Sequence, residues 1–194
     1  MRRAGTPREV KAFLLVLLLM AGVSFGEEAP VPLDKQVAVL LKALSYDRNL
    51  EKRSGERLEI AVLYKEGEGA EAEAHELAEA FNKAGREGVK GLPVTAQAVV
   101  FKSIEELLKQ VEIHGFNVFY IHSSLASALS SVQQVTRSEK ILSLGGTKKL
   151  VERGVALGVY LDRGVPRLVV NARAGIVEGL ALDPAIILVA TVIE

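Results

Sequence analysis

The chain has 194 residues, room for one domain and a leader, with 49% hydrophobic and 25% charged residues, an ordinary globular composition. Its formal net charge is zero, so it offers no basic field to attract nucleic acid. It has no cysteine, which excludes disulfides, thiolate nucleophiles and Cys-ligated metals, and no tryptophan, so a core of Val, Leu, Ile and Ala is expected.

The first segment reads as a secretory leader. Arg2, Arg3, Arg8 and Lys11 precede an apolar run of 12 residues, 12–23, and Ser24 and Gly26 then supply small residues for cleavage. That run is well short of the ~20 apolar residues a membrane-spanning helix needs. Cleavage after Gly26 leaves an exported domain, residues 27–194. Residues 1–26 hold four basic residues and one acidic one, so the exported domain carries a net charge near −3.

The exported part opens with Pro-rich coil and a helix. Asp34 is the expected N-cap, and Val37, Leu40, Leu41 and Leu44 fall at i, i+3, i+4 and i+7 on one apolar stripe. Residues 58–64 form a near-continuous apolar run that suits a strand covered on both faces. Residues 71–84 predict a helix with Leu77, Ala78 and Phe81 inward and Gly85 as a left-handed cap. Its residues Glu71, Glu73, Glu76 and Glu79 read as a solvated acidic face. A second strand is expected over 92–101. Ser103 and Glu106 form a capping box for a helix whose stripe is Ile104, Leu107, Leu108 and Val111.

Residues 117–121 predict a third strand, 126–136 a helix, and 140–144 a fourth strand. Gly145 and Gly146 make a tight connection to a helical turn at 148–153. Two β-rich runs then flank Asp162, Arg163 and Gly164, the pattern of a β-hairpin. A short helix is expected from Asn171 to about Ile176. Asp183 and Pro184 suit the N-cap and first position of a last helix, with Ile186, Ile187, Val189, Ala190 and Ile193 inward. This segment is β-branched and could be misread as a strand. Strands alternating with helices imply βαβ units. The fold expected is therefore an α/β three-layer α/β/α sandwich: a mostly parallel sheet, a C-terminal antiparallel hairpin and a closing helix.

Residue chemistry points to no catalytic constellation. Gly145, Gly146 and Thr147 follow a strand, but neither G-x-x-x-x-G-K-[ST] nor G-x-G-x-x-G is present, so a structural turn is the stronger reading. Of the three histidines, His75, His114 and His122, no two have a metal-ligand spacing. His122 lies just past the third strand, where α/β sheets place ligands. Ser123 and Ser124 follow it, but without a G-x-S-x-G elbow they are better read as helix caps than as nucleophiles. His122, Ser123, Gly145 and Gly146 are therefore the candidate ligand crevice. Tyr46, Asp47, Arg48 and Asn49 form the densest polar cluster at a helix end. An aromatic beside an arginine is the composition of an interface anchor, and a local ion pair is the equal alternative. No cofactor and no metal are expected.

The hairpin and its flanks resemble the YfiR-like family of exported bacterial proteins. The resemblance rests on Gly145-Gly146, the strands 155–161 and 167–171 ending in Asn171, the segment 184–193, the helix 37–44 ending in Tyr46, and the strand 60–63. It implies a periplasmic, non-enzymatic regulator that binds the periplasmic part of a membrane sensor or diguanylate cyclase, with effects on cyclic di-GMP and biofilm formation. The disulfide-forming cysteines of well-known members have no counterpart here, so a redox-sensing mechanism is not carried over. A small-ligand-binding module is the alternative, an enzyme a distant third. An edge strand in the hairpin is a pairing site for a second copy, a homodimer, with Pro166 restricting one register.

Overall fold

The computed structural model describes residues 30–194. The leader expected at 1–26 lies outside the described residues. In chain order the elements are α1 (Leu33–Leu44), α2 (Leu50–Ser54), β1 (Leu58–Tyr64), α3 (Ala70–Ala84), β2 (Val94–Val100), α4 (Ile104–His114) and β3 (Val118–Ile121). A 3-10 turn (Ser123–Ser127) follows, then α5 (Leu129–Glu139), β4 (Leu142–Gly145), α6 (Lys148–Glu152), β5 (Leu157–Asp162), β6 (Val165–Asn171), α7 (Ala172–Val177), α8 (Pro184–Ile187) and β7 (Thr191–Ile193).

Seven strands form one mixed sheet in the order β2-β1-β3-β4-β5-β6-β7. All neighbouring pairs run parallel except β5 with β6. From β1 the chain crosses outward to β2, then back over β1 to β3. The strand order therefore reverses between β1 and β3, the switch point at which open α/β sheets hold ligands.

The period-2 alternation of the strands divides the core. Leu58, Ile60, Val62, Val118, Tyr120, Leu142 and Leu144 face α1 and α3. Ala61, Leu63, Phe119 and Ile121 face the other layer, where Leu107, Leu129, Val132 and Val151 come from α4, α5 and α6. Val37, Leu40, Leu41 and Leu44 of the α1 stripe are all buried, as their spacing predicts. Asp34 is not the N-cap. Pro32 takes that position, and Asp34 sits in the first turn, where its charge favours the helix dipole.

Gly85 is also used differently from expectation. Its φ is −85°, so no left-handed cap forms. It is glycine because an added Cβ would lie 2.6 Å from Cβ of Val94, at the entry to β2. The hairpin turn does need positive φ. Arg163 and Gly164 have φ of 50° and 79° between the paired residues Asp162 and Val165, a two-residue loop of the twist that hairpins favour.

The C-terminus corrects one expectation. The closing helix is a single turn, α8, capped by Asp183 Oδ1, which accepts from the Ala185 N–H, with Pro184 at its first position. The chain then extends, and β7 pairs in parallel with β6, Val169 opposite Thr191. Ile187 and Val189, expected inward, are 41% and 64% exposed. The free backbone edge of β6 at Val169–Asn171 offers hydrogen bonds that an isolated helix of β-branched residues does not match. The hairpin is consequently not the sheet edge. Pro166 sits on the half of β6 that β7 leaves unpaired, where its missing N–H costs nothing.

Candidate functional site

A cleft of about 290 Å³ opens at the carboxyl ends of β3 and β4, under α1 and α3. The register dictates which side chains reach it. Tyr120 and His122 lie two apart on β3 and its extension, so both project toward the α1–α3 layer. Gln36 comes from the buried side of α1, and Glu73 and Glu76 from the first half of α3. Gly146 and Thr147 belong to the β4–α6 connection. Val31, Leu33, Leu77, Val159 and Tyr160 supply most of the wall, which is largely apolar.

The floor is held by a short relay. The Tyr120 hydroxyl donates to Gln36 Oε1 at 2.8 Å, and Gln36 Nε2 donates to the Gly146 carbonyl at 3.1 Å. This joins β3, α1 and the β4–α6 loop through one amide. It also explains Gly146. An added Cβ would run into the Tyr120 hydroxyl and come within 2.7 Å of Gln36 Nε2. Burial pushes the Tyr120 phenol well above the ordinary tyrosine range, so it remains a hydrogen-bond donor at physiological pH.

His122 is fixed at both ring nitrogens. Nε2 lies 2.8 Å from Glu73 Oε2, and Nδ1 lies 2.9 Å from Ser124 Oγ. The Ser124 N–H also points at Nδ1, at 3.3 Å, and Ser124 Oγ accepts from the Lys65 N–H at 3.0 Å. Because the Ser124 N–H is directed at Nδ1, that nitrogen is the acceptor, and the Ser124 hydroxyl donates a hydrogen bond to it as well. The tautomer that satisfies every contact carries its proton on Nε2 and donates to Glu73.

Ser124, His122 and Glu73 thus form a serine–histidine–carboxylate chain that sequence alone left as two adjacent serines and a histidine. Its build is that of a cap. The His122 side chain closes the start of the 3-10 turn by accepting from the Ser124 N–H, and the same hydroxyl ties down Lys65 at the end of β1. A nucleophile needs its oxygen aimed at a substrate and its base oriented by a third group. Here that oxygen is engaged with the backbone.

Three of the four crevice residues meet in the cleft: His122, Ser123 and Gly146. Gly145 does not line it. It is buried beneath, where a Cβ would sit 3.3 Å from Leu150. Glu73 and Glu76 are exposed, as expected of a solvated acidic face, and they also line the rim of the cleft. Gln36 was missed as well. Its signal was a polar residue at the buried position one turn before Leu40. Among the described residues no group of three or more His, Cys, Asp or Glu side chains could hold a metal ion. No helix among them is long and apolar enough to cross a membrane.

The Tyr46–Asn49 cluster is split by the fold. Asp47 is fully buried and cannot touch a partner. Its Oδ2 accepts from Arg53 Nη2 at 3.0 Å, and Oδ1 accepts from the N–H groups of Asn49 and Ala181. Asn49 donates through Nδ2 to the Gly179 carbonyl. Both residues anchor the segment after α7, through bonds to Ala181 and Gly179. Arg48 is exposed and pairs with Asp183 at 3.0 Å, and the half-buried Tyr46 carries Lys42 Nζ 5.2 Å over its ring. Backbone hydrogen bonds from Ala185, then the charge of Arg48, hold the Asp183 carboxyl below its ordinary range.

No protein-family model and no curated protein matches the sequence. Solved structures do share the fold. The chain is similar to the ABC domain in complex with L-Trp from Streptococcus pneumonia, at 18% identity and a TM-score of 0.58, over 84% of this chain and 62% of that one. It is similar to a conserved domain protein from Vibrio cholerae, at 16% identity and 0.58, over 81% and 60%. A ligand-free, open substrate binding protein with adhesive properties from Clostridium difficile matches at 13% identity and 0.52, over 75% and 57%. The chain spans about three-fifths of the length of these proteins. At such identities the likeness is one of fold: an α/β domain with a mostly parallel sheet, helices on both faces and a C-terminal antiparallel hairpin.

Proposed function

We propose that this chain is an exported, non-enzymatic binding module that holds a small organic molecule in the cleft at the carboxyl ends of β3 and β4. The observation that carries the reading is the cleft itself. It combines an apolar wall with a few convergent polar groups, Gln36, Tyr120, His122, Ser123 and Thr147, at the place where open α/β sheets bind ligands. Its volume lies at the small end of the roughly 300–1,000 Å³ range of ligand pockets, which suits a molecule of amino-acid size. The fold relatives include a domain in complex with L-Trp and a substrate binding protein, which adds support. The test is a thermal-shift screen of small metabolites against the purified chain and the cleft-filling variant Ser123→Trp. A compound that raises the melting temperature of the parent but not of S123W supports the reading. No such compound across a broad library argues against it.

A second reading has its own observation. Ile176, Ile187, Leu188, Val189 and Val192 leave an apolar surface exposed at the C-terminus, with Leu188 87% exposed. Arg48 lies beside it through its pair with Asp183. The YfiR-like resemblance gives such a surface a use: docking on the periplasmic part of a membrane sensor or diguanylate cyclase. Capture of one membrane signalling protein from solubilised host membranes, weakened by Arg48→Ala, supports it. Equal capture by the variant removes Arg48 from that interface.

A further inference from the structure

Resting on the cleft reading above, we propose that the ligand class is a cation: a small molecule with one protonated amine and an apolar or aromatic body. The charges around the cleft are of one sign. Glu73 and Glu76 stand on the rim, and among the described residues no Lys or Arg side chain lines the cavity. His122 is engaged at both ring nitrogens, by Glu73 at Nε2 and by Ser124 at Nδ1. Lys148 is the near exception. Its Nζ lies 5.7 Å from the ring centroid of Tyr160, but it is drawn toward Glu152 Oε1 at 3.5 Å and is not part of the lining.

Glu73 has capacity to spare. Its Oε2 takes the His122 proton at 2.8 Å, its side chain is 64% exposed, and a carboxylate accepts about four hydrogen bonds. An ammonium group at the rim would share Glu73 and Glu76, while an apolar body would reach inward along Leu77, Val159 and Tyr160. Carboxylates and phosphates meet the opposite situation. They would enter past two like charges, with Lys148, already drawn toward Glu152, as the one basic group near the described lining.

The experiment compares three probes of one shape and different charge: phenethylamine, phenethyl alcohol and phenylpropionate. Binding is read by calorimetry on the full chain at low and high salt. The expected order is amine, then alcohol, then acid, with the amine about fivefold or more tighter than the alcohol at low salt. That advantage should shrink as salt screens the partly exposed carboxylates. In Glu73→Gln/Glu76→Gln, which keeps an acceptor for His122, the amine and alcohol should agree within about twofold. Ser123→Trp should abolish binding of all three, and an unchanged melting temperature shows that both variants fold. If alcohol and acid bind as tightly as the amine and S123W abolishes them, the cleft reading stands and the cation preference is overturned. If none of the three binds at millimolar concentration, both are overturned.

Discussion

Replacing Arg53 with Met should destabilise the protein far more than removing the more conspicuous Arg48. The Arg53 side chain is 7% exposed and the Asp47 side chain it meets is 0% exposed. Its Nη2 donates to Asp47 Oδ2 and to the Gly179 carbonyl, each at 3.0 Å. Its Nη1 donates to the carbonyls of Glu178 at 2.7 Å and Lys140 at 3.0 Å. Arg53→Met strips all four bonds and leaves a buried carboxylate whose remaining partners are two backbone N–H groups. Lys90 does not replace the lost charge, since its Nζ reaches only the Asp47 backbone carbonyl, at 3.4 Å. Breaking a buried pair from one side typically costs about 3–5 kcal/mol.

For a domain of this size that cost lowers the melting temperature by roughly 6–20 °C. It lowers the urea midpoint by roughly 1–5 M at an m-value of about 1–3 kcal/mol per molar. The exposed Arg48–Asp183 pair, with side chains 62% and 40% exposed, should cost less than about 1 kcal/mol when Arg48 becomes Ala. Asp47→Asn in the R53M background should recover part of the loss, because the amide oxygen still accepts from the backbone while the stranded charge is gone. Urea unfolding followed by far-UV circular dichroism reads all four proteins. An R53M cost below about 1 kcal/mol, or an R48A cost as large as that of R53M, would refute the reasoning.

Two further variants test the cleft and a buried acid. Gly146→Ala must displace Gln36 or the Tyr120 hydroxyl; it should cost about 1–3 kcal/mol in unfolding and weaken any cleft ligand, and unchanged values in both assays would show that the relay has slack. Glu178 is buried against Ser143, which donates its N–H at 2.8 Å and its hydroxyl at 2.8 and 3.0 Å. Burial, outweighing these bonds and the charge of Arg137, raises its carboxyl above the ordinary 4.5. A raised folded value means that the folded state holds the proton more tightly than the unfolded chain. This stabilisation is present in full below pH 4.5 and is lost as pH rises through the folded value. Glu178→Gln lacks the titration, so its stability relative to the parent should improve as pH rises from 4.5 toward neutrality. A difference in urea midpoints that is flat, or of opposite slope, would contradict the assignment.

Local sequence was sufficient wherever one residue and its near neighbours settle the geometry. The α1 stripe, the run of β1, the Asn171 cap that accepts from the Ala174 N–H, the Asp183–Pro184 helix start and the Arg163-Gly164 turn are all of this kind. Each depends on helical or strand periodicity, or on a side chain reaching backbone within four residues, so the information lies within one short window. The alternation of such windows was also enough for a mostly parallel α/β sheet.

Tertiary structure decided what depends on partners far along the chain. Arg53 and Asp47 are buried because the segment 178–181 closes over them, more than 120 residues away. Nothing near residue 47 distinguishes that aspartate from its exposed neighbour Arg48. Glu73, still on the solvated face of its helix, gains its one fixed partner only because His122, 49 residues on, meets it. The segment 191–193 is strand rather than helix because β6 presents a free edge to it. The cleft exists because the pairing of β3 with β4 and the packing of α1 over them bring Gln36, Tyr120 and Gly146 within one hydrogen-bond relay, residues separated by 84 and 110 positions from the amide that joins them. A sequence window carries propensity and periodicity. Which donor meets which acceptor across the sheet follows from chain crossing and burial, and these exist only once the layers have packed.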